Sequence, residues 1–289
     1  MAIYLESQIP AIINHIETTY NIKILYLCET GSRLWGYAND DSDYDLRFIY
    51  THSLDHYLSL NIEHRPDTIT VSSKMFPNID VSGWDIRKFL KLAEKTNVNC
   101  YEWLYSDKVH CIYKQSYIDL LKSLVIQFYN PVPVIAHYYG SVKADYLKSV
   151  RKGPLTVKQG LYITRNILNL LYVYKYSSFP PLDFNKLLNA TSDQLNSITL
   201  ASIQMLLFQK KASINSFTKE HANNLSDFIS EILHKKAKLT NSKTKKTELC
   251  EGMAYYIKGY EFSSYKYSPV SKVNSIDPNH VFRIIVNDN

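Results

Sequence analysis

Residues 31–50 read GSRLWGYANDDSDYDLRFIY. The stretch before them, IKILYLCE at 22–29, is a near-continuous apolar and β-branched run and predicts a buried strand. Thr30-Gly31-Ser32 ends it. Gly31 lets the backbone turn and lets a ligand approach closely. Ser32, ahead of a short turn or single helical turn (RLWGYA), offers a hydroxyl and unpaired backbone N–H groups, a cradle for phosphate. NDDSD at 39–43 is a polar loop. DYDLRFIYT at 43–51 alternates in character and predicts a second strand. Alternation places Asp43, Asp45 and Arg47 on one face and Tyr44 on the other.

Two carboxylates on one strand face repel unless a cation sits between them. A pair of Mg²⁺ ions meets that need, because Mg²⁺ favours carboxylates together with substrate phosphates. Two such ions activate an attacking hydroxyl and stabilise a leaving pyrophosphate. A third carboxylate from a neighbouring strand is then expected. Asp80 in NIDVSGW, flanked by Ile79 and Val81, is the preferred candidate. Asp85 is the alternative third ligand, but it precedes a helix, where capping explains it without a metal.

The rest of the chain frames this stretch. Leu5, Ile9, Ile12, Ile13 and Ile16 have helical spacing. DTITVSS (67–73) and NIDVSGW (78–84) predict strands. DIRKFLKLAEKTN (85–97) predicts a helix, and VNCYEWLYSDKVHCIY (98–113) a short helix followed by a strand. From Pro131 and Pro133 to about 237 the pattern is helical, so a domain boundary is expected within 125–133. The expected organisation is a catalytic domain over 1–128, a helical substrate- and nucleotide-binding domain over 129–237, and a linker and tail over 238–289. VFRIIV (281–286) reads as one last strand.

On the helix over 157–176, Lys158, Tyr162, Arg165 and Asn169 fall at i, i+4, i+7 and i+11 and make one polar stripe. The functional reading sets Lys158 and Arg165 on the β- and γ-phosphates of a nucleotide and Tyr162 on its base or sugar; the alternative is a solvated face. His137, Lys143 and Lys148 on the preceding helix extend the basic wall. Arg33 is a phosphate contact or the partner of an acid in the NDDSD loop.

Lys and Arg number 33 against 27 Asp and Glu in 289 residues, a formal charge of +6, and 45% of residues are hydrophobic. This is a globular composition with a buriable core, neither disordered nor collagen-like. The excess of positive charge permits an anionic partner without requiring one. The four cysteines lack zinc spacing and read as reduced thiols in a cytoplasmic protein. The N-terminal stretch does not read as a signal peptide, no run is long enough to be expected to span a membrane, and the sequence has no G-x-x-x-x-G-K-[ST] phosphate loop. The remaining histidines show no ligand spacing, and Trp35, Trp84 and Trp103 read as core anchors. Tyrosine is abundant at 24 residues, several of them in the tail from Tyr255 to Tyr267, which with Lys258 and Lys266 has the chemistry to stack on a single strand.

GSRLWGYANDDSDYDLRFIY resembles the DNA polymerase β-type nucleotidyltransferase superfamily, whose hallmark is Gly-Ser followed by Asp-x-Asp. Trp35-Gly36-Tyr37 and the wording DSDYDLRFIY are similar to the RlaP family of RNA-ligase-associated predicted nucleotidyltransferases. YLSL (57–60), IDVSGWDIRKFLKL (79–92), EWLYS (102–106) and VKQGLYITRN (157–166) resemble later blocks of that family, so the likeness covers about residues 20–235. Gly160 and Asn166 depart from it, standing where an aromatic residue and a proline are expected.

The resemblance implies an α+β/α/β protein: a polymerase-β-like mixed sheet with flanking helices, followed by an α-helical domain. It implies Gly31 and Ser32 as triphosphate-binding, and Asp43 and Asp45 as metal ligands with Asp80 as the third. Two Mg²⁺ ions, with Mn²⁺ as a substitute, and an NTP substrate such as ATP go with that site. The expected reaction moves a nucleoside monophosphate to an acceptor hydroxyl, with an RNA 3′ end favoured and an RNA ligase as functional associate. Transfer to a protein or small molecule is the alternative. A non-catalytic nucleotide- or RNA-binding module is the alternative of another class, and the intact Asp43, Asp45 and Asp80 argue against it.

Overall fold

A computed structural model describes residues 2–60, 66–72, 74–152, 155–214, 218–237 and 275–288. The linker 238–248, the tyrosine-rich stretch from Tyr255 to Tyr267, Cys250 and His64 lie outside them. The chain divides into two compact units. The first comprises residues 1–35, 40–129 and 269–289, and the second residues 36–39 and 130–268.

The first unit is built on a five-stranded mixed sheet. In chain order its elements are α1 (Ala2–Tyr20), β1 (Lys23–Thr30), α2 (Gly31–Leu34), β2 (Tyr44–Thr51), α3 (Leu54–Tyr57), β3 (Thr68–Val71), β4 (Ile79–Asp85), α4 (Ile86–Ala93), α5 (Val98–Leu104), β5 (Val109–Ile112) and α6 (Gln115–Gln127). The strand order is β3-β4-β2-β1-β5. β1 pairs antiparallel with β2 and β5, β3 antiparallel with β4, and β2 parallel with β4. A parallel neighbour requires a crossover, and the segment from α3 through β3 supplies it.

One face of the sheet is covered by α1. Leu5, Ile9, Ile12 and Ile16 are buried and share a core with Leu27, Leu46, Phe48, Tyr50 and Val81. Each such aliphatic side chain contributes about 1.5–3 kcal/mol on leaving water. The other face carries α4 against β2 and β4, and α5 against β1. The sheet is tight at Gly83, where an added Cβ would meet the Phe48 ring at 2.3 Å; Phe48 and Gly83 are register partners, so the ring lies across β4 where a side chain is missing.

Residues 278–287 correct a sequence expectation. VFRIIV is not a strand but part of helix α12 (Pro278–Asn287), with Val281, Ile285 and Val286 buried. Asp277 caps it by accepting from the Asn279 N–H at 2.9 Å, and Pro278 occupies its first turn. These are helix-start signals that outweigh a six-residue apolar run. α12 belongs to the first unit. Phe282 packs edge-on against Tyr57, and Asp288, just past the helix, accepts from the Tyr117 hydroxyl at 2.8 Å.

The described part of the second unit is helical: α7 (Pro131–Lys152), α8 (Val157–Tyr176), α9 (Phe184–Thr191), α10 (Ser197–Lys211) and α11 (Lys219–Ala237). α8 is its central element, in contact with α7, α9, α10 and α11. It begins at a capping box made by Thr156 and Gln159. Residues 36–39 belong to this unit. Tyr37 packs edge-on against Phe184, while Asn39 donates to Ser213 and accepts from Lys210, both at 3.0 Å.

Candidate active site

The Gly-Ser turn and the Asp-x-Asp strand meet because β1 and β2 are antiparallel neighbours with Thr30 opposite Asp45. Thr30 fixes the join by donating its hydroxyl to the Asp45 carbonyl at 3.2 Å. At the next residue the backbone turns with Gly31 at φ +70°, a left-handed conformation that side chains resist. Space makes the same demand: a Cβ on Gly31 would lie 2.1 Å from Asp45 Oδ2. The Asp45 carboxylate therefore occupies the place that glycine leaves open.

Asp80 arrives from the other side. In the parallel ladder Asp45 is opposite Asp80, and Arg47 opposite Ser82. Register partners present their side chains on one face, so Asp45, Arg47 and Asp80 form a charged patch at one end of the sheet. Arg47 Nη2 lies 2.7 Å from Asp80 Oδ2 and 3.5 Å from Asp45 Oδ1. Two oxygens that share a nitrogen at those distances are at most about 6 Å apart. Arg47 Nη1 donates to the carbonyls of Leu46 at 2.8 Å and Asp80 at 3.3 Å. Asp43 is exposed and immediately precedes β2. Among the described residues no three His, Cys, Asp or Glu side chains cluster closely enough to hold a metal ion by themselves.

Asp85, the alternative third ligand, lies at the far end of β4 and is 1% exposed. Its carboxylate caps α4 through the Arg87 N–H at 2.8 Å, and accepts from Arg87 Nε at 3.4 Å and the Tyr57 hydroxyl at 2.9 Å. Those bonds account for its burial. Arg33 braces the polar loop: it donates to the carbonyls of Ser42 at 2.7 Å and Asp43 at 3.3 Å, with its guanidinium 3.8 Å from the centre of the Tyr44 ring. Its bonds go to the backbone of that loop and hold the approach to Asp45. Ser32 is half-buried in the first turn after Gly31.

The polar stripe of α8 is solvated over its first half only. Lys158 and Tyr162 are exposed, but Arg165 and Asn169 are buried at 2% and 0% exposure, along with Asn166. Among the described residues neither amide atom of Asn169 has a hydrogen-bond partner, an unusual condition for a buried polar group. Trp103 is buried and packs against half-buried Trp84 with ring centres 4.0 Å apart and planes tilted by 31°, while Trp35 is half-buried. Cys28 and Cys100 are buried and Cys111 partly so, all without disulfides; burial pushes their thiols up, so they stay neutral rather than nucleophilic.

A family model described as "RlaP: RNA repair pathway DNA polymerase beta family" matches residues 5–256. The chain belongs to the RlaP family. Its mixed sheet with flanking helices and its helical second unit agree with a polymerase-β-like fold. The family's description supports nucleotidyltransferase chemistry and a link to RNA repair. The chain is also 34% identical over 179 residues to a Bacillus subtilis (strain 168) protein called "Uncharacterized protein YcgL", covering 61% of this chain and 66% of that one. Among the described residues no helix is long and apolar enough to cross a membrane.

The sequence alone does not reveal how Arg47 is used. Its place on the Asp face is readable from alternation; its position between two carboxylates depends on which strand lies beside β2. Glu29 and His110, 81 residues apart, pair at 2.9 Å near the Gly31 turn, and no spacing rule links them.

Proposed function

We propose that this RlaP-family protein is a divalent-metal-dependent nucleotidyltransferase that moves a nucleoside monophosphate from an NTP to the 3′ hydroxyl of an RNA, releasing pyrophosphate. The observation that carries the reading is the pairing of Asp45 with Asp80 across β2 and β4, beside the space left by Gly31. Two carboxylates on one face, next to a glycine turn, suit a metal that takes one or two protein carboxylates and completes its shell with phosphate oxygens. Asp45 and Asp80 are the proposed ligands, with Asp43 as the third. Mg²⁺, or Mn²⁺ in its place, would lower the pKa of the acceptor hydroxyl and neutralise charge on the phosphates.

The protein's own residues do the positioning. Gly31 lets a phosphate approach the backbone, and Ser32 with the N–H groups of its turn donates to it. Arg33 fixes the loop so that Asp43 enters β2 in register. Asp80, with half of its side chain open to solvent, is placed to accept the proton of the attacking hydroxyl. Every residue given a role here lies in the first unit. Catalysis of this kind works through orientation and charge neutralisation rather than through a covalent intermediate.

The test is incubation with each α-labelled NTP, Mg²⁺ and either total RNA or total protein, beside the Asp45→Asn variant. Label on RNA that disappears with Asp45→Asn supports the reading. Label on polypeptide overturns the choice of acceptor. No label with any NTP, or equal label from the variant, overturns the enzymatic reading.

A further inference from the structure

Arg47 does more than share a face with the carboxylates. Its Nη2 sits between them, 2.7 Å from Asp80 and 3.5 Å from Asp45, and its Nη1 is tied to two backbone carbonyls. A guanidinium never loses its charge at ordinary pH. The patch therefore already holds a cation, covalently attached and anchored on one side by the sheet itself.

We propose that Arg47 is a tethered counter-ion that closes the Asp45–Asp80 pair to bare divalent ions and admits the metal only as its nucleotide complex. This rests on the metal-binding reading above. A bare ion entering the pair meets a fixed positive charge a few ångströms away and brings Arg47 no new partner. A metal–nucleotide complex carries net negative charge and brings phosphate oxygens, which match the guanidinium fork in geometry and charge. Nη2 then trades a carboxylate oxygen for a phosphate oxygen, while Nη1 keeps its two carbonyls. The arrangement ties metal loading to substrate arrival. It also explains why two carboxylates at this end of the sheet coexist without mutual repulsion when no substrate is bound.

The test measures Mn²⁺ affinity of the full chain by electron paramagnetic resonance, reading the signal of free Mn²⁺. Titrations are run without nucleotide and with α,β-methylene-ATP, a probe that cannot transfer its nucleotide. Wild type should bind bare Mn²⁺ weakly and gain strongly from the probe. Arg47→Met should bind bare Mn²⁺ at least tenfold tighter than wild type, and its gain from the probe should shrink by a similar factor. Arg47→Lys, which keeps the charge, should stay within threefold of wild type for bare Mn²⁺. Arg47→Gln replaces Arg47→Met should the latter fail to melt cooperatively in EDTA. Bare Mn²⁺ binding by Arg47→Met that equals or falls below wild type overturns the inference, as does equal tightening by Arg47→Lys. The Asp45→Asn/Asp80→Asn double variant separates the two readings. Mn²⁺ binding with the probe that survives in this variant overturns the carboxylate metal site itself. Its loss there, together with bare Mn²⁺ binding by Arg47→Met no tighter than wild type, overturns only the role of Arg47.

Discussion

Gly31→Ala isolates the feature that joins the turn to the carboxylates. The alanine must adopt φ +70°, which costs about 1–2 kcal/mol relative to glycine. Its Cβ would lie 2.1 Å from Asp45 Oδ2 and 2.9 Å from Asp45 Cγ. Normal contact requires the carboxylate to withdraw by about 1 Å. Adding modest rearrangement, the expected loss of stability is about 1–3 kcal/mol, a fall of a few degrees in melting temperature for a chain of this size. The expected loss of function is about 100-fold even in the fully folded protein, because a displacement of about 1 Å at a reacting centre costs about that much. The assay is single-turnover transfer from labelled NTP, beside a thermal melt in the same buffer and salt. A folded Gly31→Ala protein with transfer within threefold of wild type would refute the reasoning, since it would show that Asp45 does not need the place that glycine leaves.

Two further outcomes follow from the far end of the sheet. Asp85→Ala removes a helix cap and leaves the Tyr57 hydroxyl and Arg87 without their acceptor; it should lower stability by about 2–4 kcal/mol by chemical denaturation. Asp80→Asn, at an exposed position, should change stability by less than about 1 kcal/mol while removing transfer; the reverse pattern would make Asp85 the functional acid. His52 is held neutral mainly by burial, reinforced by the ring of His56 stacked on it at 3.6 Å and by Arg87, and opposed by Asp85; its pKa falls from 6.5 to about 4. Below pH 6.5 the unfolded chain gains a proton at this site that the folded chain refuses, so the stabilisation present at neutral pH is lost as pH falls from 6.5 towards 4. Partial exposure to water trims the effect to about 1 kcal/mol. Denaturation midpoints across that window should decline less steeply in His52→Gln, and an unchanged slope would remove His52 from the account.

Much of the first unit is legible in local chemistry. The β-branched run before Thr30, the alternation after Asp43 and the cap at Asp85 each depend on near neighbours, and the structure places β1, β2 and α4 there. Other features were hidden for definite reasons. Residues 281–286 are apolar enough for a strand, and only the preceding Asp277-Pro278 distinguishes a helix. The α8 stripe has the spacing of a solvated face, yet burial of Arg165 and Asn169 depends on what packs against it. Residues 36–39 lie inside the motif that marks the site, but Tyr37 and Asn39 find partners in the second unit, more than 140 residues away in the chain.

By itself, then, the sequence determined that Asp45 and Arg47 share one face of a strand behind a Gly-Ser turn, with Asp43 just ahead of it, because a strand's two-residue period is a property of the backbone alone. Only the tertiary structure decided which acid joins them. Asp80 and Asp85 lie five residues apart on one strand, and period two sends them to opposite faces without saying which face belongs to Asp45. The parallel register of β2 and β4 sets Asp80 opposite Asp45, sends Asp85 to the cap of α4, and places Arg47 between the two acids.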